Sequence, residues 1–180
     1  RDHLSGKFGT SDVTDTVDGV RWLVSQGLVD GDRVAITGSG AGAVTVLSAL
    51  STTNDFSAGT SRYGFTDLGS DNPEDPIWDE VSAIKNVSAV SAPLLLQQGA
   101  DDPIVTLEET ERYYEALVAE GKEVALVVFE NEGHGFVRAD SLEQAWRTEL
   151  SFYADLWGIA LQHPVPVPIM NRGERPSLQQ

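Results

Sequence analysis

The chain has 180 residues, with 12 Lys and Arg against 28 Asp and Glu and a formal net charge of -16. That length suits one domain with a real core, and so acidic a balance argues against nucleic acid and anionic membrane surfaces, which both require clustered positive charge. There is no cysteine, so a disulfide framework, a thiol nucleophile and a Cys-based zinc site are excluded. No run approaches the ~20 apolar residues of a membrane span.

The first segment, Arg1-Asp-His-Leu-Ser-Gly-Lys7, lacks the pattern of a signal peptide. Together with the absent cysteines, this makes a cytoplasmic location the expectation. Residues 9–27 read as an amphipathic helix, with Val13, Val17, Val20 and Val24 on one face and Leu23 beside them. Asp12 and Asp15 suit its first turn, and Gly27 is its stop. After the turn Asp30-Gly-Asp-Arg33, a short apolar run from Val34 to Ile36 predicts a buried strand. The small residues Gly38 to Ala43 follow it. Then Ala43, Val46, Leu47 and Leu50 recur at helical spacing, which predicts a helix to about Leu50.

Phe56 to Arg62 is a second, weaker strand candidate. Residues 66–90 read as loop, punctuated by Gly69, Asn72-Pro73 and Asp75-Pro76, with Trp78 and Val81 as packing residues. Ala92 to Gln98 is the clearest buried strand. Thr106-Leu-Glu-Glu109 is a capping box opening a helix with Leu107, Tyr114, Leu117 and Val118 inward, and Gly121 ends it. Val124 to Phe129 is another strand. Ser141-Leu-Glu-Gln144 caps a last helix carrying Leu142, Ala145, Trp146, Tyr153 and Leu156. From His163 onward Pro164, Pro166, Pro168 and Pro176 predict a tail without regular structure, so the chain divides into a domain over 1–160 and a Pro-rich tail over 161–180.

Strands alternating with helices predict an α/β fold, a mostly parallel sheet of about four strands with helices on both faces. The strand at Val34 to Ile36 should lie inside such a sheet. Left as an edge it would expose backbone groups, so further N-terminal strands or another copy of the chain are expected to cover it.

Three features point to nucleophilic catalysis, each just after a strand, where the loops of an open parallel sheet gather. The first is the tight strand-to-helix turn through small residues, the layout of a nucleophile elbow. Its expected pattern is Gly-x-Ser-x-Gly. Here the flanking glycines are Gly38 and Gly42, Gly40 occupies the midpoint, and Ser39 stands one residue early. The second is Asp101-Asp102 after the third strand, although Asp before Pro103 is also an ordinary turn signal. The third is His134 between Gly133 and Gly135 after the fourth strand. His3 and His163 have no such context and read as surface residues. The order nucleophile, acid, histidine is that of an α/β-hydrolase triad, in which imidazole takes the serine proton and a carboxylate fixes its tautomer.

With these segments the chain resembles the C-terminal part of the catalytic domain of the prolyl oligopeptidase family, in its acylaminoacyl-peptidase and dipeptidyl-peptidase-like branch. The resemblance rests on Gly9 to Asp15, Leu28 to Gly38, Phe56 to Arg62, Gly99-Ala-Asp-Asp-Pro-Ile-Val105 and Glu132-Gly-His-Gly-Phe136, and runs from residue 1 to about 157. It implies Asp102 as triad acid and His134 as base. The family's Gly-Gly-Ser-Ala-Gly-Gly elbow becomes Gly38 to Ala43, with Gly40 in the nucleophile position. One oxyanion donor would be the N–H of Ala41, the second belonging to the first half of the domain. Nothing corresponds to that half or to the family's β-propeller, and the segment between Asp67 and Pro93 is shorter than the family's.

Two functions follow as expectations. One is a serine hydrolase acting on peptides or related amide or ester substrates, with Ser39 as substitute nucleophile. Against this, a one-residue shift at a strand end turns a side chain to the other face. The other is a catalytically inactive or truncated family member, a binding or scaffold protein or a decayed gene product. Neither reading calls for a metal or an organic cofactor.

Overall fold

The computed structural model describes residues 9–71, 74 and 76–173. The expectations that fell on Arg1 to Lys7, with His3, and on Asn72, Pro73, Asp75 and Pro176 lie outside the described residues. The elements run in the order α1 (Ser11–Ser25), β1 (Ala35–Ser39), α2 (Ala41–Thr52), β2 (Ala58–Arg62), α3 (Leu68–Asp71), α4 (Pro76–Val81), β3 (Leu94–Gly99), α5 (Leu107–Ala119), β4 (Val124–Phe129) and α6 (Ala139–Trp157). The strands form one parallel four-stranded sheet in the order β1-β2-β3-β4. Parallel neighbours need a crossover, and helices α2, α5 and the short-helix segment 66–90 supply it. Segment 66–90, expected to be loop-rich, also contains α3, α4 and the 3-10 turns Ala83–Lys85 and Val87–Ala89, pieces too short to show a helical period.

The sheet is covered on both faces. On one face Val13 and Val17 of α1, Val46, Leu47 and Leu50 of α2, and Tyr113 and Leu117 of α5 bury Ile36, Leu94, Leu96 and Val124. Val24 does not join them: it is exposed in the last turn of α1, beside Gly31 rather than over the sheet. In α5 the fully buried tyrosine is Tyr113, with Tyr114 only half-buried.

The opposite face is built differently. Ala58, Leu95 and Ala125 pack under Phe152 of α6, with Tyr153, Leu156 and Trp157 beside it. Alongside runs a polar layer. Thr60, Arg62 and Gln97 project from the sheet, and Thr148, Glu149 and Tyr153 of α6 meet them. Leu142 and Trp146 are exposed, and Ser141, Ala145, Thr148 and Glu149 take the buried stripe. Trp146 lies flat against the Arg62 guanidinium at 4.7 Å, so its ring closes the polar layer from outside. Arg138, not Ser141, is the N-terminal residue flanking α6.

Among the described residues, the Pro-rich segment after α6 has no helix or strand, but it is tied to the body of the fold. Val167 and Ile169 pack beside Phe152. Met170 exchanges both backbone hydrogen bonds with Val124 at the outer edge of β4, at 2.8 and 3.3 Å. Asn171 caps the carbonyls of Val118 and Lys122.

Candidate functional site

The turn from β1 into α2 is made of glycine for reasons of space. A Cβ at Gly38 would stand 2.3 Å from the carbonyl oxygen of Gly42, a backbone collision no rotamer relieves. Gly40 has φ 53 and ψ -120, outside the wells open to L-residues, and its N–H is bonded to Arg62 O at 3.0 Å. Gly40 immediately precedes α2, so the N–H of Ala41 is the first of that helix and has no intrahelical acceptor.

Asp102 follows β3 and is held from several sides. Its Oδ1 accepts from the N–H groups of Ile104 at 2.8 Å and Val105 at 3.0 Å, and its Oδ2 from Gln98 Nε2 at 3.2 Å. Its side chain is fully buried. His134, after β4, places Nδ1 3.0 Å from the same Oδ2. A carboxylate oxygen only accepts, so Nδ1 carries the hydrogen and Nε2 is left with a free lone pair. That nitrogen faces the elbow: a Cβ built at Gly40 lies 3.7 Å from His134 Nε2 and meets nothing else within 4 Å apart from its chain neighbours.

Ser39 does not share this geometry. Along β1, Ile36 enters the core and Gly38 faces α2, so Thr37 and Ser39 face the other way. Thr37 on that face accepts a hydrogen bond from Arg62. No hydrogen bond joins Ser39 to His134, whose polar partner is Asp102. The structure thus brings Gly40, Ala41, Asp102 and His134 together and leaves Ser39 out.

Several supporting residues carried no visible signal. Tyr63 has φ 39, unusual for an aromatic residue, and is held there by its N–H to Gln97 O at 2.8 Å. Its ring meets His134 and Phe136 edge-on, both at 5.2 Å, and Phe65 lies 6.0 Å from the imidazole. Glu109 does not return to Thr106 as a capping box would have it. Thr106 accepts from the Glu109 N–H, while the Glu109 carboxylate takes the N–H groups of Thr66 and Asp67 and so anchors the loop behind Tyr63.

Glu132 ties the histidine loop. Its buried carboxylate accepts from the N–H groups of Val137 and Arg138, each at 2.9 Å, and its backbone oxygen accepts from Asp101. Burial pushes its carboxyl up, but those two N–H groups, the Ser141 hydroxyl and the Arg138 charge outweigh it and leave it below the ordinary glutamate range. A depressed carboxyl contributes stability that is present above its unfolded value and lost as pH falls through its folded one. Glu132→Gln is expected to cost about 1–3 kcal/mol at neutral pH. In urea titrations at a series of pH values, that difference should shrink as the solution is acidified through the carboxylate range; a pH-independent difference contradicts this account.

Among the described residues no group of His, Asp and Glu could hold a metal ion, and no helix is long and apolar enough to cross a membrane.

Comparison with known proteins places this geometry in context. Residues 1–159 match the prolyl oligopeptidase family. The chain is 31% identical over 152 residues to dipeptidyl aminopeptidase BIII of Pseudoxanthomonas mexicana, covering 71% of this chain and 22% of that protein. It is 27% identical over 167 residues to acylamino-acid-releasing enzyme 1 of Oryza sativa subsp. japonica, covering 77% and 22%. Among solved structures, a puromycin-hydrolyzing peptidase of Mycobacterium tuberculosis superposes with a TM-score of 0.85 at 30% identity, over 91% of this chain and 28% of that one. The fold is of the α/β-hydrolase type. The chain belongs to the prolyl oligopeptidase family, and it spans less than a third of the length of these relatives.

Proposed function

We propose that this chain carries the acid–base part of a serine-peptidase site, His134 as base and Asp102 as its orienting acid, with Gly40 in the place of the nucleophile. On this reading its ligands are peptides or related amides and esters, as the names of its relatives suggest. The chain by itself forms no acyl-enzyme.

One observation carries this reading: a Cβ at Gly40 would stand 3.7 Å from His134 Nε2, with nothing else within 4 Å apart from its chain neighbours. An oxygen one bond further along would reach the ~2.6–3.2 Å that a nucleophile and its base require. Ser39 cannot substitute, because its side chain leaves the strand on the other face. Losing the nucleophile alone removes about as much catalysis as losing the whole triad. The absence of a nucleophile at Gly40 agrees with a binding role for the site.

Treatment with a fluorophosphonate, read by intact mass, tests the assignment. The unmodified chain is expected to keep its mass. A phosphonyl adduct mapped to Ser39 would overturn it and make Ser39 a working nucleophile.

A further inference from the structure

We infer that Gly40 opens a route the serine enzymes do not use: a water molecule at the position of the missing hydroxyl, activated by His134, hydrolyses small activated acyl esters directly. This rests on the reading of His134 and Asp102 given above. Three observations support it. The tautomer fixed by Asp102 leaves the Nε2 lone pair unused. The direction in front of it is lined by a residue with no side chain, so a water oxygen can approach Nε2 where a serine oxygen otherwise would. The N–H of Ala41, opening α2 next to Gly40, has no intrahelical acceptor and lies at the helix's positive end.

The chemistry balances without any other group. As the water oxygen bonds to the acyl carbon, one of its protons passes to Nε2 and the carbonyl electron pair moves onto oxygen, facing the Ala41 N–H. Collapse re-forms the carbonyl, breaks the bond to the departing aryloxide, and the imidazolium returns its proton to that oxygen. The products are a carboxylic acid and a phenol, and no bond to the protein ever forms.

Magnitudes set the substrate class. A positioned base contributes ~10²–10⁴ in rate, and each oxyanion donor a further ~10²–10³. With one donor at the elbow, the route suffices for an ester with a good leaving group and falls short for a peptide bond.

The test uses p-nitrophenyl acetate and the unmodified chain. The expected result is steady hydrolysis above buffer with no initial burst and no acetyl adduct in the intact mass. Two substitutions act on different atoms. His134→Gln removes the base while keeping the size of the side chain. Gly40→Ala keeps the base and places a methyl group where the water would stand. Each is expected to lower the rate at least tenfold, within the range a positioned base supplies. A rate unchanged by either substitution, or no rate above buffer, overturns the water route and leaves the proposed function standing. An acetyl adduct on Ser39 overturns both.

Discussion

Glu149→Ala is expected to lower the stability of the fold by about 3–5 kcal/mol, the cost of leaving a buried charge without its partner. Arg62 and Glu149 form an ion pair between β2 and α6 with side chains 12% and 6% exposed. The guanidinium is otherwise held by Gln97 at 2.8 Å and Thr37 at 3.3 Å, and is covered by the Trp146 ring. Neither amide nor hydroxyl oxygen neutralises it. Glu149 in turn accepts from the Tyr153 hydroxyl at 3.1 Å, and burial, with the nearby Glu149 charge, pushes that phenol well above its usual range.

Removing one partner strands the other. Removing both does not, so Arg62→Met with Glu149→Leu is expected to cost less than Glu149→Ala alone. Urea unfolding of the three proteins decides it; a loss below about 1 kcal/mol for Glu149→Ala would mean that water reaches the guanidinium freely. The pair also bears on the site. The carbonyl of Arg62 accepts the Gly40 N–H, and Tyr63 follows it directly, so a loosened β2 end loosens the elbow.

This polar layer is also where pattern reading ran out. The runs Val34 to Ile36, Ala92 to Gln98 and Val124 to Phe129 were legible because parallel strands buried on both faces read as apolar runs, although β1 continues through small residues to Ser39 and β3 spans Leu94–Gly99. Helix α2 was legible from Ala43, Val46, Leu47 and Leu50, all buried. Helix α6 was legible, but which of its residues are buried was not. An apolar-in rule selects Leu142 and Trp146, whereas the sheet beneath presents Thr60, Arg62 and Gln97, which call for polar partners. No single-segment pattern can foresee the chemistry of the opposing surface. The tail shows the same limit: its prolines exclude regular structure, yet Val167 and Ile169 still find an apolar groove to fill.

At the site, residue order marked the elbow with Gly40 at its midpoint, an acid at Asp101 or Asp102, and His134, since each stands just after a strand, and the family resemblance singled out Asp102. What sequence could not decide was the nucleophile. Ser39 and Gly40 are adjacent, and only the backbone at φ 53 and ψ -120 shows which of them points at His134. The roles of Tyr63 and Glu132 were not legible, Glu132 standing only as part of the matched segment around His134, because they come from backbone hydrogen bonds to Gln97 and Asp101 and from the fold of the His134 loop itself.

Gly40→Ser is the second substitution of large expected effect, and its two consequences oppose each other. The fold should lose about 1–3 kcal/mol, because a side chain is forced into a backbone conformation that suits glycine. Reactivity should be gained, because the new hydroxyl stands within reach of His134 Nε2. The most direct measurement is therefore intact mass after fluorophosphonate treatment of the double variant Ser39→Ala with Gly40→Ser, beside the same protein carrying His134→Gln. One phosphonyl group on the first and none on the second is the predicted result. Equal labelling of both, or of neither, would contradict the assignment of Gly40 to the nucleophile position in front of His134 and Asp102.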